Sequence, residues 1–300
     1  MPASQRQGTI FILLSVTGYS FFPIWVKTIQ AAGLGPLDIA FWRFLFAVPV
    51  FWLLVKGLRV PTSDNPLPRV RLLGMGTLLT AAALLAFLGL ERIPASTFIV
   101  LFYTYPAMVA VMSLFMGDRL SRQGWFALAL TLVGMFLTVP DFSQGLGNNN
   151  LVGLIMALLN AFVVALYFIV SSRLLRGHTA MAQASAWGVM GALLPLLILL
   201  PVHRPIVPAD ANVWLNLGAM VVVSTVFPVF FLNAGIQKVG PARAAILGTV
   251  EPLLTIILAA LFLGERLQPI QLLGGAFILA SVVILQLSRP DKPLPPPEAP

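Results

Sequence analysis

Apolar residues in this chain gather into long unbroken runs. They do not alternate as in a half-buried strand or line one face as in a surface helix. A helix needs about 20 such residues to cross the hydrocarbon core of a bilayer. Ten runs approach that length: 9–29, 37–55, 72–90, 95–116, 124–140, 151–171, 182–200, 213–235, 242–263 and 270–287. The pattern therefore predicts an all-α integral membrane protein with ten transmembrane helices. The first run follows only Arg6, lacks a small-residue cleavage site and carries Pro23 and Lys27, so it is expected to be a retained helix rather than a signal peptide.

The runs repeat. Residues 91–120 (ERIPASTFIVLFYTYPAMVAVMSLFMGDRL) match 237–267 (QKVGPARAAILGTVEPLLTIILAALFLGERL), pairing Pro106 with Pro252 and the Gly117–Leu120 turn with Gly264–Leu267. Gly8 pairs more weakly with Gly153, and Phe22 with Tyr167. Each half then holds five helices. An odd number makes the second copy enter from the opposite side, giving two inverted five-helix repeats, a recurring transporter architecture. The expected organisation is a short N-terminus (1–8), a first repeat (9–140), a polar external linker (141–150, DFSQGLGNNN), a second repeat (151–287) and a Pro-rich tail (288–300).

Composition closes off other classes. Of the 300 residues, 59% are apolar and only 9% charged, and the mean hydropathy is +0.95. A soluble domain runs near a quarter charged, so a soluble enzyme, a nucleic-acid reader and a disordered chain are all excluded. The net charge of +8 reads as topology. With both termini in the cytoplasm, the inside segments carry Arg6, Lys56, Arg59, Arg69, Arg71, Arg119, Arg122, Arg173, Arg176, Lys238, Arg243, Arg289 and Lys292, which is 13. The outside segments carry Lys27, Arg92, Arg204 and Arg266, which is 4. The positive-inside rule then places both termini in the cytoplasm of a multi-pass inner-membrane protein. There is no cysteine, hence no disulfide framework or thiol chemistry.

Polar groups in a membrane helix must face protein or water. They concentrate in the first, third, fourth, sixth, eighth and ninth runs, which hold all four tyrosines, so these runs are expected to ring a partly wet cavity. Glu251 is the acid deepest in the hydrocarbon region, near the midplane of the ninth run. A carboxylate there is protonated or paired. It is a proton-coupling site, a contact for a cationic substrate group, or a fixed partner for Arg43. Pro252 and Pro106 each remove a backbone donor at the midplane, and carbonyls freed there suit a binding site. Tyr19, Tyr103, Tyr105, Asn160, Tyr167 and Asn233 are the other cavity candidates, and Arg43 is a structural ion-pair candidate. Glycines 74 and 76, 188 and 191, and 274 and 275 permit close helix approach, within the chain or in a homodimer.

Catalytic signatures are missing. There is no HExxH, nucleophile elbow or phosphate loop, and His178 and His203 fall in loops on opposite faces. No enzyme activity, metal or cofactor is expected.

The segments Gly18–Lys27 (GYSFFPIWVK), Pro36–Phe44 (PLDIAFWRF), Tyr105–Pro106 with its MGDRL turn and Glu251–Pro252 with its LGERL turn resemble the drug/metabolite transporter superfamily, in particular its EamA-type ten-helix members. The resemblance spans residues 8–287. The family usually has an acid in both turns, and the first here is Asp118, a mild departure. The resemblance implies a central cavity, alternating access without ATP, and a metabolite substrate. An aromatic cavity with one acid favours an amino acid or related amine or zwitterion, moved outward with protons or by facilitated diffusion. The rival expectation is a membrane scaffold with a closed core and Glu251 locked to Arg43.

Overall fold

Backbone in hydrocarbon has no water to satisfy its polar groups, so an apolar run closes its own hydrogen bonds as a helix. The computed structural model describes residues 3–57, 66–90, 92–93, 95–116, 120–138, 151–263 and 268–287, and its regular structure there is entirely helical. The helices are α1 (Ala3–Ser20), α2 (Phe22–Ala31), α3 (Pro36–Gly57), α4 (Arg69–Leu90), α5 (Ala95–Phe102), α6 (Tyr105–Phe115), α7 (Arg122–Thr138), α8 (Leu151–Leu174), α9 (Met181–Leu199), α10 (Ala211–Val221), α11 (Phe227–Val239), α12 (Pro241–Gly248), α13 (Val250–Leu263) and α14 (Pro269–Leu287). A π turn, Val222–Val226, joins α10 to α11. The polar linker, the Pro-rich tail and both Gly-acid-Arg turns lie outside the described residues.

Among the described residues seven stretches are long and apolar enough to span a bilayer, including Ser4–Ala31, Phe98–Phe115 and Ala211–Val239. Arg122–Leu137 and Pro269–Leu285 are shorter apolar helices. The ninth run is divided at Thr249 into α12 and α13. All ten sequence runs are thus helical, and four of them are broken. The first helix starts earlier than its apolar run. Gly8 and Thr9 are buried, and a side chain at Gly8 would meet Val239 and Lys238 of α11.

The breaks have a common cause. Pro23, Pro106, Pro228 and Pro252 each follow a break by a few residues, and each lacks the N–H that the carbonyl four residues earlier would accept. Thr104 and Thr249, at the ends of α5 and α12, turn their hydroxyls back to the carbonyls of Leu101 and Ile246, at 2.6 Å in both cases. Pro49 and Pro195 sit inside α3 and α9 without a break.

The packing is two-fold. α1 against α11 corresponds to α8 against α4; α1 against α13 corresponds to α8 against α6; and α3 against α10 corresponds to α9 against α4. The pair α7–α14 maps onto itself, and so, taken run by run, does the contact of the fourth run with the ninth that α6 and α12 make. Such an exchange of partners is what two inverted five-helix repeats give. Close approach comes from glycine. A side chain on Gly76 would overlap the Gly188 carbonyl of α9, and one on Gly191 would overlap the Leu73 backbone of α4. Gly134 meets Gly274 in the same way between α7 and α14. These contacts lie within the chain.

Two polar knots pin the bundle. The Asn233 side chain, fully buried in α11, accepts from Tyr167 (3.0 Å) and Ser171 (2.9 Å) of α8 and donates to Ser185 of α9 (3.0 Å). Near the other end, buried Asp38 accepts from the backbone N–H groups of Gly35 (2.9 Å) and Ile206 (3.0 Å) and bonds His203 Nε2 (2.9 Å). Asp38 thereby straps the loop between α9 and α10 across the start of α3. The indoles of Trp42 and Trp214 add bonds to Ile206 O (2.8 Å) and Pro208 O (3.0 Å).

Candidate functional site

The broken helices surround a cavity of about 270 Å³. Its wall comes from Ser15, Val16, Tyr19 and Phe22; Arg43 and Phe44; Leu78, Leu79, Ala82, Ala83, Ala86 and Phe87; Phe102 and Tyr105; Asn160, Val164, Tyr167 and Phe168; Val229 and Leu232; and Gly248 and Glu251. The six polar runs expected to ring a cavity all contribute. The second run, read from the sequence as too bare, contributes as well, because Arg43 and Phe44 turn inward from α3. α7, α9 and α14 supply no wall residue.

The wall is two-sided. α4 gives only apolar groups, three of them alanines. The polar side chains come from the other elements: Ser15 and Tyr19 (α1), Arg43 (α3), Tyr105 (α6), Asn160 and Tyr167 (α8) and Glu251 (α13). Glycine shapes part of this side. A Cβ on Gly248 would stand 2.7 Å from the Tyr105 hydroxyl, so only glycine lets that hydroxyl reach toward the Ala245 carbonyl (3.4 Å).

Glu251 lies just past the Thr249 break, in the first turn of α13. Among the described residues no cation stands within ion-pairing distance of its carboxylate. The Tyr19, Tyr103 and Tyr105 side chains are close enough to interact with it electrostatically. Ser20 donates to its backbone carbonyl at 3.3 Å, tying the break in the first run to the break in the ninth. Asn160 lines the cavity and is 96% buried, and its Oδ1, itself buried, has no hydrogen-bond partner among the described residues. A buried amide acceptor left open in this way is costly unless something occupies the space in front of it.

The structure brings together Glu251, Tyr19, Tyr105, Asn160, Tyr167 and Arg43 on one wall. It does not place Tyr103 or Asn233 there. Tyr103 is buried beside the wall, edge-on to Phe102 with ring centroids 5.0 Å apart, and Asn233 is committed to its three partners. Arg43 is not paired with Glu251. Its Nε donates to Thr225 Oγ1 (2.7 Å) and its Nη2 to the Ser224 carbonyl (3.2 Å). The π turn, invisible in the sequence pattern, is the closer and better-shaped acceptor. The alanines of α4 were also passed over. The run TAAALLAF carries the signal, since its four alanines, three of them on the wall, leave room beside the helix.

Known proteins are similar to this chain over most of its length. An uncharacterized transporter of Bacillus subtilis, YcbK, is 29% identical over 91% of this chain and 91% of its own length. The uncharacterized inner membrane transporter YedA of Escherichia coli K12 is 24% identical over 96% of this chain and 93% of its own. One solved crystal structure superposes with a TM-score of 0.80 at 17% identity, covering 93% of this chain and 96% of its own, which shows a shared fold. The profile of the EamA-like transporter family matches residues 6–139 and again 151–287. With both halves matched and the helices folded around a common cavity, the chain belongs to the EamA-like transporter family and is a multi-pass membrane protein.

Proposed function

We propose that the chain is a secondary transporter that carries a small organic metabolite, an amino acid or a related amine or zwitterion, out of the cell. It rocks its two repeats around the cavity described above. It sits in the inner membrane with both termini in the cytoplasm, following the distribution of Lys and Arg. The observation that carries the reading is the acceptor-rich midplane. Among the described residues Glu251 stands without a cation and the Asn160 amide oxygen without a donor, and Pro106 and Pro252 deprive the Phe102 and Gly248 carbonyls of their usual helical donors. A substrate ammonium supplies the donors that such a wall lacks. The apolar α4 face receives the rest of the molecule.

The same carboxylate can trade the substrate cation for a proton, which would couple export to the proton gradient. The test is counterflow in proteoliposomes. Vesicles are loaded with unlabelled metabolite pools, labelled amino acids and amines are added outside, and the parent is compared with Glu251→Gln. Labelled substrate should accumulate in the parent. If Glu251→Gln keeps exchange and loses proton-driven flux, the carboxylate is the coupling group; if it loses both, the carboxylate holds the substrate. Folded protein that exchanges no member of a broad panel would refute the transport reading.

A further inference from the structure

Arg43 joins the two repeats at a π turn, where among the described residues a transmembrane helix changes pitch. Two features open that turn. The π turn Val222–Val226 locally abandons α-helical bonding, and Pro228 has no N–H to give the Ser224 carbonyl four residues before it. Arg43 donates into this gap, to Ser224 O and to Thr225 Oγ1. Its guanidinium also lies 4.5 Å from the ring centroid of Phe22 and 5.2 Å from that of Phe44. Ser224 passes the connection on, donating to the Gly18 carbonyl of α1 at 2.8 Å. No side chain fits at Gly18, since a Cβ there would stand 2.6 Å from Val223 O.

This clasp has a definite depth. Arg43 is seven residues into α3, about 10 Å from the end of the bundle opposite the chain termini. Beyond it, toward that distal end, Ile29, Leu34, Ile39, Val213, Leu217 and Met220 pack α2, α3 and α10 together. The corresponding contact in the other half, α4 on α9, is built differently. There Gly76 and Gly191 bring backbone onto backbone, and Thr80 donates to the Ala192 carbonyl. One seam is therefore closed by shape, whereas the other is held by a charged group that can be drawn away. Arg43 also lines the cavity, and its Nη1 has no hydrogen-bond partner among the described residues. A carboxylate entering the cavity competes directly with the π turn for the guanidinium.

We propose that Arg43 is the latch of the distal gate. Bound to the π turn, it holds α3 against the second repeat and closes the cavity toward the distal end; released, it lets that end open. The proposal rests on the alternating-access reading above.

The absence of cysteine makes the test direct. A single reporter, Ala83→Cys, is placed on the apolar cavity wall of the full chain. It is reacted with a membrane-impermeant maleimide from the distal face in intact spheroplasts and from the termini face in inverted vesicles. Arg43→Gln and the shape-conserving Thr225→Val should each raise the distal-to-termini ratio of labelling rates about tenfold, at the lower end of what a hydrogen bond to a charged group contributes. A merely structural Arg43 would lower the amount of folded protein and leave the ratio alone. Should Arg43→Gln fail to accumulate, Thr225→Val decides by itself, and an unchanged ratio there overturns the latch. Labelling from one face only in the parent and in every variant would overturn both the latch and alternating access, whereas labelling from both faces with no shift in the variants sinks only the latch.

Discussion

Replacing Asn233 by leucine removes three side-chain hydrogen bonds and no cavity wall. The change keeps the side chain's approximate size but strands the Tyr167 and Ser171 hydroxyls and the Ser185 oxygen in a fully buried space. In soluble proteins each stranded group costs about 1–3 kcal/mol. Inside a bilayer the measured value is smaller, near 0.6 kcal/mol on average, because the separated helices also find partners. The membrane figure applies here. Ser171 and Ser185 can also turn to their own helical carbonyls, as Ser20 does toward Val16 (2.8 Å). Three bonds then amount to about 2 kcal/mol, roughly a thirtyfold shift in the folding equilibrium. Reversible unfolding in mixed micelles, titrated with a denaturing detergent, reads this as an earlier midpoint at unchanged slope. Asn233→Asp keeps the acceptor for both hydroxyls and should retain more of the network geometry. If Asn233→Leu unfolds like the parent and instead loses substrate affinity, Asn233 is a binding residue and the reasoning fails.

Gly191→Leu places a side chain where the Leu73 backbone stands and should reduce folded protein severely, scored by monodisperse yield in detergent; Gly74→Leu, with open space beside it, should be tolerated. Ala83→Phe adds a ring on the apolar wall and should exclude larger substrates before small ones, read as a shift in the counterflow panel. Asp38→Ala removes three acceptor contacts from the strap and should expose the loop between α9 and α10 to protease, at a cost of about 1–3 kcal/mol to local closure. A strap cut no faster than in the parent would refute it.

Much of the fold was legible because hydrocarbon leaves a chain few options. The ten apolar runs had to be helices, and the Pro106–Pro252 match told of the repeat. The cavity was legible for a related reason, since polar side chains in lipid-spanning helices gather where they can be satisfied. Glu251, Tyr19, Tyr105, Asn160 and Tyr167 were found by that logic. It failed where polarity alone does not show what a group is bonded to. Asn233 looks as free as Asn160 in the sequence, yet the first makes three side-chain bonds and the oxygen of the second has no partner among the described residues. Arg43 was weighed as a partner for Glu251 because opposite charges attract, but a π turn has no residue-type signature.

The pair α7 and α14 has a mechanical consequence. It maps onto itself when the halves are exchanged, and neither of its helices supplies a residue to the cavity wall. If the two end states of the transport cycle are related by two-fold exchange of the repeats, this contact is the same in both. It is then a fulcrum: the moving helices turn about a seam that does not change, locked by the Thr131–Ser281 bond at 2.6 Å and by the Gly134–Gly274 approach. Force generated at the cavity has to be reacted there. A covalent staple at this seam should leave the cycle running, whereas the same staple between α3 and the π turn would stop it.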